Sequence, residues 1–222
     1  MKNKVRYFNN QNIEARNIEK EFVPDGDLSK SNWKGASWVK FDTSYDPSVT
    51  FPEAMTSVAA LWSERYVYFA FRSLYSELNV FSDGNPDQQY WGLWNRDVVE
   101  VFINPFPHRM NVYWEFEVAP NDLWIDLAID LDQDPFNDAL WNSGFEHSTR
   151  VSNEPRIWDC EMRIPVASFG VNEITVGQEW RVNLYRCDGP GDDSVRRFLA
   201  WCPTFDENFH VPAGFGRLSF ID

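Results

Sequence analysis

The chain has 222 residues, 43% of them hydrophobic and 17% aromatic with 11 tryptophans, and carries a formal net charge of −14. That composition supports a substantial buried core and excludes a disordered chain. The acidic balance argues against nucleic acid and anionic membranes as partners and leaves neutral polar ligands, or cations such as calcium.

Residues 1–22 begin basic but contain no continuous apolar stretch, so no signal peptide is expected. The compartment stays open between cytoplasm and secretion after loss of a leader. No apolar run reaches the length of a membrane span. Residues 1–30 are expected to form an edge strand and a long connection. Short helical turns are predicted near Pro52 to Met55 and Pro165 to Phe169, where proline opens each segment.

Period-two alternation dominates the remainder. Tyr66 to Phe71 is a strand candidate with Val67, Phe69 and Phe71 on one face. Asp97 to Ile103 and Val112 to Val118 follow. From Trp124 to Leu131, Ile125, Leu127, Ile129 and Leu131 point one way and Trp124, Asp126, Ala128 and Asp130 the other. Ile157 to Ile164, Trp180 to Cys187, Arg196 to Trp201 and Gly216 to Ile221 complete the set. Turn signals separate them at 83–86, 104–105, 120–122 and 188–191. Many strands, turn-rich gaps and almost no helical period predict an all-β, two-sheet antiparallel β-sandwich of immunoglobulin or jelly-roll type. No repeat, low-complexity tract or linker interrupts residues 1–222, so one domain is expected. Cys160, Cys187 and Cys202 show no metal-ligand spacing and are expected as buried thiols, with one disulfide left open.

These strands resemble family 9 carbohydrate-binding modules over about residues 30–222. The stretch Leu93-Trp94-Asn95-Arg96-Asp97-Val98-Val99-Glu100-Val101-Phe102-Ile103-Asn104 is similar to the family's W-x-x-D-x-V-E-I-F-I-D segment. Val67-Tyr68-Phe69-Ala70-Phe71 resembles the strand before it, and Tyr113-Trp114-Glu115-Phe116-Glu117-Val118-Ala119-Pro120 the strand after it. Trp158 to Pro165, Trp180 to Arg186 and the closing Phe215-Gly216-Arg217-Leu218 extend the match. The resemblance implies a β-sandwich in which two aromatic rings enclose one sugar, structural calcium, and association with xylanases or other polysaccharide-degrading enzymes. It places Trp94 as the first stacking ring and Glu100 as a carboxylate contacting sugar hydroxyls. Phe209 stands where the family has its second tryptophan. Glu115 and Glu117 occupy the strand on which the family carries a sugar-contacting arginine.

The residues themselves add alternatives. An indole face suits the C–H face of a sugar, and a loop-borne pair such as Trp91 and Trp94 suits a site, although both rings could instead cap the sandwich end. Arg96 and Trp201 are further candidate contacts. Glu100 is flanked by apolar residues on a strand and needs a partner, either a ligand or an arginine such as Arg72, Arg96 or Arg186. Asp130, Asp132 and Asp134 alternate like calcium ligands, but Pro135 replaces the glycine of an EF-hand, so a solvated acidic loop competes with a looser calcium site. His108, His147 and His210 share no metal spacing and read as surface groups.

The expected function is non-catalytic binding of a saccharide from a plant-type polysaccharide, xylan or glucan. Two alternatives stand beside it. One is a hydrolase using Glu100, Glu115 and Glu117, should these face one another across strands. The other is a scaffold that has lost its sugar site and binds a protein partner.

Overall fold

The computed structural model describes residues 10–189 and 195–222. The basic start of the chain, and the turn expected at 188–191 beyond Gly189, lie outside these residues. Thirteen strands run in chain order. They are β1 (Asn12–Asn17), β2 (Trp38–Phe41), β3 (Thr56–Trp62), β4 (Tyr66–Leu74), β5 (Val98–Asn104), β6 (Val112–Val118) and β7 (Trp124–Asp130). Then come β8 (Asn137–Asp138), β9 (Glu146–Asn153), β10 (Arg156–Pro165), β11 (Glu179–Asp188), β12 (Arg197–Ala200) and β13 (Gly216–Ile221). Short 3-10 turns occur at Pro52–Ala54 and Val166–Phe169, as predicted, and also at Ser31–Gly35, Leu93–Asn95 and Pro212–Gly214. Among the described residues no helix is long and apolar enough to cross a membrane.

The fold is all-β, but the expected arrangement of two separate antiparallel sheets needs correction. The strands form one continuous hydrogen-bonded path, β8-β7-β6-β5-β11-β13-β1-β3-β4-β10-β9, with β12 beside β11 and β2 beside β3. The pairing is mixed because β1 runs parallel to both β13 and β3. This also corrects the opening segment. Its strand is not an edge: it stitches the two halves of the path together, with Ile13 and Ala15 fully buried.

The path curls so that its halves share a core. Val58, Phe69 and Met162 from one half join Val101, Phe116 and Leu184 from the other in a single apolar cluster. Two of the four strands absent from the sequence prediction explain themselves. β3 is a nearly continuous buried run without alternation, and β9 is a polar, largely exposed strand.

The reverse faces are also covered. Residues 18–38 wrap one of them, with Leu28 and Trp33 on Leu61, Tyr68 and Ala70. A second apolar cluster covers the outer face of β5, β6, β7 and β11, from Phe102, Tyr113, Leu127 and Tyr185 to Phe215. That face carries the candidate site. Cys160, Cys187 and Cys202 are buried free thiols.

Candidate functional site

Alternation on β5 and β6 sends Val99, Val101, Ile103, Trp114, Phe116 and Val118 into the shared core. Glu100, Phe102, Tyr113, Glu115 and Glu117 therefore emerge on the opposite face. The register pairs Glu100 with Glu117 across the two strands and Phe102 with Glu115. All three glutamates consequently gather, with ligating oxygens within 4.8 Å of one another.

They line a cavity of about 310 Å³, near the lower end of the range for small-molecule pockets. Its walls include Trp94, Phe136, Phe198, Phe209 and His210, drawn from loops and from β12, far apart in sequence. Trp94 sits on the Leu93–Asn95 turn, half-buried, with its ring edge-on to Trp91 at 5.1 Å between centroids. Gly92 supplies the left-handed residue (φ 82°) from which that turn starts. Phe209 lines the same cavity while one ring face stacks on Tyr185 at 4.1 Å. Phe209 thus has only its other face to offer a ligand.

The glutamates are 2%, 4% and 1% exposed at Glu100, Glu115 and Glu117. None of the arginines considered for Glu100 serves it. Arg72 binds Asp159, Arg186 binds Asp188, and the Arg96 guanidinium lies over the Phe81 ring. Glu100 Oε1 instead accepts a bond from the Cys187 thiol at 3.1 Å. No donor from elsewhere in the described chain reaches Glu115 Oε2 or either oxygen of Glu117. Burial and the neighbouring Glu115 charge raise Glu100 to about 8, and burial raises Glu115 to about 7. Glu117 is pushed well up by burial and then by both neighbours. A proton held between Glu115 and Glu117 is the compensation the chain itself can supply.

Such raised carboxyls hold protons longer in the native state than in the unfolded chain, so they favour folding at low pH and oppose it as pH rises. The affected window runs from the ordinary carboxyl value of 4.5 up to about 8. Each unit of displacement is worth about 1.4 kcal/mol, and a chain of this size shifts its Tm by roughly 2–4 °C per kcal/mol. Thermal unfolding should therefore show Tm falling by several degrees between pH 5 and 8. Glu117→Gln should flatten that slope and melt above wild type at the alkaline end. A flat wild-type profile would mean that the triad does not titrate in this window.

Other expected site residues fall elsewhere. Trp201 is 4% exposed and belongs to the shared core, where its ring packs against Gly216, so it is not a ligand contact. Arg96 does not line the cavity; its Nη1 bonds the carbonyl of Asn95 at 2.9 Å. Asp130, Asp132 and Asp134 do not gather: Asp130 Oδ1 accepts from the Asp132 amide and Asp132 Oδ1 from Asn111. Among the described residues, acidic, histidine or thiol ligands converge only at Glu100, Glu115 and Glu117. The expected calcium loop therefore lacks converging side chains. His210 is not a surface group. Its Nδ1 meets the Tyr113 hydroxyl at 2.6 Å, its Nε2 lies 4.0 Å from Glu115, and burial lowers it to about 4.

A pocket with an acidic floor and aromatic walls on a sheet face has the shape and chemistry that suit a small polar ligand. Residues 24–222 match the carbohydrate family 9 binding domain-like family, and the chain belongs to it. A candidate carbohydrate-binding protein from Bacteroides uniformis shares the fold with a TM-score of 0.76 and 20% identity, covering 96% of this chain and 100% of that one. A family 9 carbohydrate-binding module from Caldicellulosiruptor kristjanssonii in complex with cellotriose superposes with a TM-score of 0.67 and 16% identity, covering 95% and 94%. The module from that organism in complex with glucose gives 0.66 and 17%, covering 95% of each chain. An "Extracellular protein" of Arthroderma benhamiae is 23% identical over 195 residues, 82% of this chain and 85% of that protein.

Proposed function

We propose that this protein is a non-catalytic saccharide receptor that holds a sugar of a glucan or xylan chain in the cavity. Trp94 and the free face of Phe209 supply apolar platforms, and the glutamates accept hydroxyl hydrogens. The observation that carries this reading is the buried carboxylate oxygens without donors on the floor of an aromatic-walled cavity. A buried acceptor left without a donor costs about 1–3 kcal/mol, which sugar hydroxyls can offset. The Caldicellulosiruptor module in complex with cellotriose and glucose supports the choice of ligand. A polysaccharide-degrading enzyme is the partner this function would serve.

Calorimetry with glucose, cellotriose and xylotriose tests the reading. Binding should lie in the micromolar to millimolar range and weaken in Glu100→Gln. No heat from any of the three would overturn it.

The hydrolase reading has one specific observation in its favour, the meeting of Glu100, Glu115 and Glu117. Glycoside hydrolysis, however, sets two carboxyls about 5–9 Å apart on either side of the scissile bond. Here all three rise from one face of adjacent strands and reach a bound ring from one side. Release of reducing sugar from xylan or cellulose should therefore stay at background. The open cavity likewise speaks against a scaffold whose site is packed shut.

A further inference from the structure

The floor of the cavity is more acidic than a neutral sugar requires. Glu100, Glu115 and Glu117 bring three carboxyl groups within 4.8 Å of one another. Glu115 Oε2 and both Glu117 oxygens are buried, line the cavity with their residues and find no donor among the described residues. The Arg196 charge reaches Glu100 and Glu117, while its Nη2 is engaged by the backbone carbonyls of Trp94 and Arg96. His210 stands 4.0 Å from Glu115 with its Nδ1 turned to Tyr113.

A neutral sugar brings hydroxyl donors but no charge to set against this floor. A bare metal ion brings charge but leaves the rings of Trp94, Phe136, Phe198 and Phe209 without use. One ligand chemistry uses both parts: a sugar ring whose C–H face meets the aromatic walls and whose protonated amine meets the carboxylates. Oxygens within 4.8 Å of one another can all lie about 2.8 Å from a single nitrogen, the length of a charge-assisted hydrogen bond. An ammonium has three N–H donors, one for each glutamate. The ring faces add to the attraction, since their negative π surfaces favour a cation.

We propose that the cavity selects an amino sugar, a 2-amino-2-deoxyhexose such as a β-linked glucosamine unit, over its neutral counterpart. This rests on the saccharide reading above and specifies the substrate class of that same site.

The test is calorimetry of the full chain with matched ligands near pH 8, where the glutamates ionise and an amine bound against them keeps its proton. These are glucose and glucosamine, cellotriose and the glucosamine trimer, and the N-acetylated trimer, which keeps bulk and loses charge. The glucosamine trimer should bind at least about tenfold more tightly than cellotriose, and N-acetylation should erase the gain. In Glu117→Gln, checked for folding by thermal unfolding, the ratio of the two affinities should fall toward one. Cellotriose binding as well as the amine ligand would overturn this inference and leave the saccharide reading standing. Absence of binding by every sugar would overturn both readings. So would heat from calcium or manganese chloride alone, with every sugar silent, which would make the triad a metal site.

Discussion

Trp94→Ala should abolish measurable saccharide binding while leaving the Tm within a few degrees of wild type. The indole is half-buried and forms a wall of the cavity, and its ring partner, Trp91, is itself exposed. One stacked ring contributes on the order of 1 kcal/mol or more beyond the area it covers, and enclosed aromatic anchors commonly dominate a site. A loss of at least about tenfold from a weak starting affinity puts binding beyond detection. The fold tolerates the change because the bond that Trp94 makes to Arg196 uses its backbone carbonyl, which alanine keeps. Phe209→Ala makes the informative contrast. That ring also stacks on buried Tyr185, so its removal should lower the Tm as well as the affinity. Calorimetry paired with thermal unfolding separates the two cases. Unchanged affinity in Trp94→Ala would remove the ligand from this cavity altogether.

Glu161→Ala should produce the largest loss of stability, about 3–5 kcal/mol, the cost of breaking a buried charge network from one side. Glu161, on β10, is fully buried on the face away from the cavity and fastens residues 25–33 across it. Its oxygens accept from the amides of Asp25 and Gly26 at 2.9 and 2.8 Å, from Lys30 Nζ at 2.8 Å and from Trp33 Nε1 at 2.7 Å. Alanine strands four donors at once and leaves the Lys30 ammonium with Asp25 alone. At roughly 2–4 °C per kcal/mol, the Tm should drop by about 6–20 °C. Saccharide affinity measured well below the new Tm should stay the same, since no cavity residue lies on that half. A shift within about 2 °C would show that the segment is held by its apolar contacts and not by the carboxylate.

Much of the fold can be read directly from local patterns. The alternation at Val112 to Val118 already sets Glu115 and Glu117 on one face and Trp114 and Phe116 on the other, as found. Trp94 and Glu100 were also identifiable, because a loop aromatic and a carboxyl between apolar neighbours are each anomalous where they stand. Phe136, Phe198 and His210 were not. Each carries an ordinary loop or strand-edge pattern, and only folding brings them to one cavity. His210 in particular has no spacing to another ligand that could have marked it.

The misreadings share a cause. Trp201 follows β12, yet its ring lies in the shared core, in the space left at Gly216. The acidic alternation at Asp130 to Asp134 looks like a ligand set, but Asp130 turns to the Asp132 amide and Asp132 to the Asn111 side chain.

Composition and periodicity alone therefore determine an all-β chain with an acidic surface, the faces of its main strands and two of the residues that line the cavity. These are properties of neighbours one or two positions apart, which local sterics and burial dictate. Tertiary structure alone decided that β1 lies in the middle of the sheet path in parallel pairing. It alone set the register that stands Glu100 against Glu117, and the loop packing that walls the three glutamates with aromatic rings. Register and strand order arise from contacts between residues far apart in the chain, where many alternative pairings satisfy the same alternation and only global packing selects among them.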